Sequence, residues 1–235
     1  NNADVTASSY HVGGFVGYVR APYLGSANGN QKIVVRNCVN NGNISTANPT
    51  GDAGGIAGTI IYTELDGCEN NGTISAPATL GGIVGTTYAG STVKNCLNKG
   101  EVKCTTVNGG YVGGIIGSES TGIIVQHCLN LGNVNGGNLP AGVIGGNQAS
   151  QSGHVDNMYL DTTAERGVGQ GQPNDHLTRY APKTSDELKT ASTFADWDTD
   201  VWSLKDGLYP ALIAVNNSNS GDDFIDNEFG DPWDN

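Results

Sequence analysis

One short string recurs along the chain and limits what it folds into more than any other feature. Val12-Gly13-Gly14-Phe15-Val16-Gly17 returns as Ala53-Gly54-Gly55-Ile56-Ala57-Gly58, Leu80-Gly81-Gly82-Ile83-Val84-Gly85 and Val112-Gly113-Gly114-Ile115-Ile116-Gly117. A weaker copy reads Pro140-Ala141-Gly142-Val143-Ile144-Gly145. Each of the first four is followed by a second string of the form Cys-x-Asn-x-Gly-x-Ile/Val, starting at Cys38, Cys68, Cys96 and Cys128. An aliphatic residue stands three positions before each Cys (Val35, Leu65, Val93, Val125), and Val155 and Met158 take the two places in the last unit. Two strings recurring in fixed order define a tandem array.

The basic unit is 27–28 residues, with about ten extra residues between Tyr18 and Ile33 and smaller insertions near 47–52 and 104–108. Insertions confined to fixed points of a repeat mark its turns. Within each unit, β-branched stretches bounded by Gly and Asn read as brief strands between sharp bends. Gly and Asn accept positive φ, and the chain has 36 Gly and 26 Asn in 235 residues. No unit carries a helical pattern able to serve as a crossover. The expected fold is therefore all-β, a right-handed parallel β-solenoid (β-helix) of about five coils, stacked about 4.8 Å apart. Equivalent apolar residues then form ladders: Phe15/Ile56/Ile83/Ile115/Val143, Val35/Leu65/Val93/Val125/Val155 and Cys38/Cys68/Cys96/Cys128/Met158. The Asn40/Asn70/Asn98/Asn130 column reads as an amide ladder.

The cysteines recur one per coil, not as the close pairs a metal site uses, and are read as buried free thiols. Cys104 lies outside their ladder and has no assigned place. The opening residues 1–5 fit the second half of a unit, so the array is expected to begin mid-coil. The repeats run over 1–165, a C-terminal cap over 166–215, and an acidic tail over 216–235. Thr184 and Glu187 form a capping box that predicts a short helix in the cap. The bulky cluster Trp197, Trp202, Leu204, Leu208, Tyr209 and Leu212 covers the last coil, or alternatively forms an aromatic carbohydrate platform. Residues 1–165 have 6 basic and 10 acidic side chains, whereas 166–235 have 5 and 13. Phe224, Ile225, Phe229 and Trp233 are read as tail anchors, docking on the solenoid or on a neighbouring molecule.

The strings around Gly54–Gly58, Gly81–Gly85 and Gly113–Gly117, each followed by the Asn-Cys-x-Asn-x-Gly-x-Val type of half, resemble the GLUG-motif repeats of bacterial surface and secreted proteins. The run from Phe194-Ala195-Asp196-Trp197 to Gly207-Leu208-Tyr209-Pro210-Ala211-Leu212 is similar to the segment that closes such arrays. The resemblance covers roughly residues 1–215. It implies an extracellular or bacterial cell-surface β-solenoid, of the kind found in adhesin-like proteins and beside immunoglobulin-A-cleaving metallopeptidases. It brings no catalytic residues. Ala141 and Met158 depart from the pattern in the last unit.

The chemistry classes narrow in the same way. A net charge of −12 leaves no electrostatic footprint for nucleic acid. The longest apolar runs are five residues or fewer, too short to span a membrane. No HExxH, GxSxG or Walker string is present. His11, His127, His154 and His176 are scattered, with His127 placed opposite the cysteine face. Asp196, Asp198 and Asp200 alternate; they either project together toward Ca²⁺ or stand as solvated acids in a turn, and the Gly-containing loop spacing is missing. No cofactor and no metal is called for. The expected function is a non-enzymatic adhesin-like or structural module that binds a host or microbial macromolecule, protein or glycan, with self-association through the tail as a further option. Its contact residues are read as Tyr18, Arg20, Tyr23 and Leu24, because Tyr and Arg favour interfaces. Two alternatives stand beside it. A β-helical carbohydrate-active enzyme needs paired carboxylates or a carboxylate/base cluster on one face, and Glu64, Asp66, Glu69 and Glu101 are isolated in sequence. A spacer domain of a larger secreted peptidase is the other.

Overall fold

The computed structural model describes residues 1–22, 32–120, 122–147, 153–170 and 179–218. It is a parallel β-solenoid. One rung runs Ile44–Thr46, Asp52–Gly54, Ala57–Ile61, Thr63–Asp66 and Glu69–Asn70. The next rung pairs with it in parallel: Ile44 with Ile74, Ala53 with Leu80, Ala57 with Val84, Leu65 with Val93 and Asn70 with Asn98. Stacked rungs make one eight-stranded, two six-stranded and one five-stranded sheet. The opening residues take second-half positions, Val5 pairing with Ile44. Among the described residues no helix is long and apolar enough to cross a membrane.

The repeat strings show why these residues are needed. The second glycine of each pair faces the asparagine column: a Cβ on Gly14 would lie 2.6 Å from Asn40 Oδ1, and one on Gly114 would lie 2.6 Å from Asn130 Nδ2. The third glycine lies against the strand of the preceding rung, so that a Cβ on Gly85 would sit 2.7 Å from the Ala53 nitrogen. Each rung is thereby pinched at a waist with an apolar compartment on either side. The larger holds Ile56, Leu65, Cys68 and their stacked equivalents. The smaller holds Ile44, Ile74, Val102 and Val134 facing Val12, Ala53, Leu80 and Val112. Cys104 belongs to this second compartment, which supplies the place the sequence left open. All five cysteines are free.

Three ladder positions differ from expectation. Phe15 keeps its backbone place, its N–H donating to the Ile56 carbonyl, yet its side chain is 46% exposed. It sits on the first rung, where only one neighbour covers it. In the last repeat the register is one residue off the aliphatic alignment: Val125 pairs with His154 and Leu129 with Met158. His154 therefore occupies the buried column, while Val155 is 45% exposed. Asn157 takes the place expected for Met158, its Oδ1 accepting from the Cys128 N–H and its Nδ2 donating to the Val125 carbonyl. A one-residue slip turns every side chain to the opposite face. Here it is compensated because Met158 faces outward into the apolar cluster of the C-terminal segment.

That segment carries the cap. Val168–Gln170 and Tyr180–Lys183 first add one more strand to each of two solenoid sheets, so sheet structure runs past residue 165. The helix Ser185–Leu188 follows with the expected capping box. Leu188, Phe194, Trp197, Trp202, Leu212 and Val215 then pack on Leu97, Leu129 and Met158, which are outward residues of successive rungs. The cap thus lies along the flank of the stack. Trp197 donates to Asp156 Oδ2 at 2.8 Å and stacks near His127. At 3% and 1% exposure, Trp197 and Trp202 offer no open face to a sugar, and Lys189 Nζ lies 4.8 Å over the half-buried Tyr209 ring. Phe224, Ile225, Phe229 and Trp233 lie outside the described residues.

Candidate functional site

A repeat scaffold gives every rung the same backbone, so side chains peculiar to one rung stand out from those the architecture requires. The asparagine column belongs to the architecture. Each buried amide donates to the next, Asn40 to Asn70, Asn70 to Asn98 and Asn98 to Asn130, all at 2.8 Å, and each also donates to the glycine carbonyl two residues on. Asn1 begins the row and Thr163 ends it. The cysteine column is likewise structural. The Cys38 thiol is pushed up by the adjacent Cys68 thiol and by burial, and that of Cys96 chiefly by burial. Such thiols are held protonated and unreactive.

Three rung-specific polar clusters remain. On the five-stranded sheet, Lys94 Nζ lies 3.1 Å from Glu64 and 3.5 Å from Asp66, and Arg36 bridges the same two acids at 3.5 and 3.4 Å. Partial burial raises the Glu64 carboxyl, but its bonds to Lys94 and Arg36 outweigh that and hold it below the usual range. Glu69 pairs with Lys99 at 2.7 Å. Glu64, Asp66 and Glu69, isolated in sequence, are therefore matched by cations on neighbouring rungs, while Glu101 accepts from the Asn135 amide at 3.1 Å.

The second cluster is internal. His154 Nε2 lies 3.3 Å from Glu119 Oε2, both side chains being 1% exposed. Its Nδ1 meets the Tyr180 hydroxyl. Burial, followed by the Arg179 charge, pushes the imidazole down to about 4. A histidine with a depressed folded pKa stays neutral in the fold and takes up a proton on unfolding. Its stabilising contribution is complete above about pH 6.5, the unfolded value, and is lost as pH falls toward 4. The expected result is a loss of about 3 kcal/mol over that interval. His154→Val, which restores the aliphatic type of the column, should flatten the fall in melting temperature between pH 7 and pH 4.5. An unchanged slope would reject the assignment.

The third cluster is at the surface. His11, Asp52 and Thr79 form one column, and Tyr18, Thr59, Thr86 and Ser118 form another. The close approach at the third glycine brings the two together in a crease. Thr86 Oγ1 donates to Asp52 Oδ1 at 2.7 Å, and Thr59 Oγ1 donates to Asp52 Oδ2 at 2.9 Å. His11 Nδ1 lies 2.9 Å from Thr59 Oγ1 and 3.2 Å from Asp52 Oδ2. Because the single Thr59 proton is committed to Asp52, both neighbours of Nδ1 are acceptors. The imidazole therefore carries a proton on Nδ1, which leaves Nε2 for an outside partner. The Tyr18 ring lies 5.3 Å from that of His11 and is 46% exposed. Arg20 follows two residues along the same strand, on the same face and exposed. Tyr88 lies two rungs on, exposed beside a depression of about 130 Å³ that Thr86 and Ser118 also line.

Of the contact residues read from sequence, the structure brings Tyr18 and Arg20 onto one face, while Tyr23 and Leu24 lie outside the described residues. His11, Asp52, Thr59 and Thr86 were missed. Aligning the units column by column would have found them, since His11 and Asp52 both stand two residues before the first glycine of their strings. Asp196, Asp198 and Asp200 are exposed, and Asp198 Oδ1 accepts from the Asp200 N–H, as in a turn. Among the described residues no three His, Cys, Asp or Glu side chains are grouped to hold a metal ion. No protein-family model, curated protein or solved structure matches the chain.

Proposed function

We propose that this chain is a non-enzymatic, adhesin-like module of the bacterial cell surface or of a secreted protein, related to the GLUG-motif repeats it resembles. It binds a macromolecular partner through the outward face carrying Tyr18 and Arg20. The observation that carries this reading is the rung-specific crease, where a polar network foreign to the repeat supports an exposed aromatic ring on a rigid scaffold. Sites built on regular elements hold their geometry better than sites on loops. The β-helical hydrolase reading calls for two carboxylates, or a carboxylate with a base, open to one bond. Asp52 instead stands among two threonine hydroxyls and an imidazole, and Glu64 and Asp66 are engaged by Lys94 and Arg36 on another sheet.

The test is a surface-binding screen of the whole chain over immobilised mucin, collagen, fibronectin and purified polysaccharides. Saturable binding to at least one surface, with the ligand recovered intact by mass, is expected. Absence of binding across the panel, or time-dependent cleavage of the ligand, would overturn the proposal.

A further inference from the structure

Resting on that reading and deepening it, we infer that the crease is a saccharide-binding site, and that its ligand is a neutral oligosaccharide lying obliquely across the first three rungs. Two exposed rings on this face, Tyr18 and Tyr88, stand on the first and third rungs, about 10 Å apart along the stack at 4.8 Å per rung and about 7 Å apart along the strand, because Tyr88 follows the Arg20/Ile61 column. That separation is on the scale of a disaccharide. Rings spaced in this way suit the flat apolar faces of successive pyranoses, while the phenol hydroxyls remain available for hydrogen bonds.

The polar groups beside Tyr18 match the rest of a sugar. His11 Nε2 is an oriented hydrogen-bonding atom for a sugar hydroxyl, the ring being fixed by the contacts of Nδ1 with Thr59 and Asp52. Arg20 supplies donors on the same face. Asp52 is not a free charge at this surface. Two threonine hydroxyls and the imidazole satisfy it, so its role is to position His11 rather than to attract a cation. A protein partner would favour a contiguous apolar centre. Here the residues between the two tyrosines are Thr59 and Thr86, both buried with their hydroxyls bonded to Asp52, and the half-buried Ile61, so no contiguous apolar centre is exposed. Preorganisation favours the same ligand class. The backbone of every rung is fixed by its neighbours, and tyrosine loses little side-chain freedom on binding, so a weakly apolar ligand is bound at small ordering cost.

The experiment titrates the whole chain with hexasaccharides of the β-1,4-glucan, β-1,3-glucan, xylan and chitin series, read by calorimetry and by saturation-transfer NMR. At least one series should bind, with saturation transfer strongest at the ring protons. Tyr18→Ala and Tyr88→Ala should each weaken that binding at least tenfold, and His11→Ala should weaken it severalfold. Circular dichroism should stay unchanged in all three, since these side chains are at the surface. Asp52→Asn, which keeps the shape but alters the support of His11, should fall between wild type and His11→Ala. Failure of all four series to bind would overturn the inference. So would binding that survives both tyrosine substitutions. If the chain binds a protein surface in the wider screen while these arms fail, the adhesive reading stands and the saccharide site alone is rejected.

Discussion

Replacing Asn98 with alanine is expected to cost about 4 kcal/mol, one of the two largest effects a single substitution should have in this protein. Asn98 is fully buried, accepts from Asn70 Nδ2, and donates to Asn130 Oδ1 and the Gly100 carbonyl. Truncation removes three hydrogen bonds and strands partners on both adjacent rungs where no water reaches them. Each stranded buried group costs about 1–3 kcal/mol, more than the net worth of the bond itself. The void left beside Gly82 adds to this. Asn98→Asp should be at least as harmful, because an oxygen would then face Asn130 Oδ1. The internal control is Asn71→Ala. Asn71 also bonds along the stack, donating to Asn41 at 2.8 Å, but in solvent, and its loss should stay within about 0.5 kcal/mol. Urea denaturation of the three variants decides the matter. A cost for Asn98→Ala as small as that for Asn71→Ala would mean the buried ladder is not a stabilising element.

Gly82→Ala is expected to destabilise by about 3–5 kcal/mol, approaching loss of the fold. A Cβ there would overlap the Gly114 carbonyl of the next rung and lie 2.6 Å from Asn98 Nδ2. Neither obstacle is the free end of a flexible side chain. One is backbone already paired in a sheet, and the other is an amide held by bonds on both sides. The strain therefore has no local outlet, and relief requires separating rungs or breaking the ladder. Gly122 provides the contrast: a Cβ there meets nothing within 4 Å, although its φ of +76° still disfavours alanine. Gly122→Ala should accordingly cost about 1 kcal/mol. Near-equal losses at the two positions would show that backbone conformation, and not the pinch at the waist, makes the repeat glycines necessary.

Both effects trace to residues the sequence already marks. The Gly-Gly and Asn-x-Gly strings are repeated because one side chain's amide fills the space the other residue leaves empty, rung after rung. The capping box at Thr184 was equally legible, since a cap depends on residues three apart. The last repeat was not. Matching Val155 and Met158 to the aliphatic and cysteine columns followed residue type, whereas the chain follows register, and the register buries His154 and Asn157. Nothing local marks that choice. It depends on Glu119 one rung earlier, Tyr180 one rung later, and a cap cluster ready to cover Met158.

The sequence by itself determined the period, the parallel stacking and the two columns of glycine and asparagine, because a 27–28-residue repeat places equivalent residues at equivalent points on successive rungs. Only the tertiary structure decided that each rung encloses two apolar compartments, that the cap lies along the flank of the stack, and that His11, Asp52 and Tyr18 meet in one crease. Those outcomes arise where different faces of the coil approach one another. A linear repeat specifies what stacks above a residue, but not which distant strand of the same or the adjoining coil folds back against it.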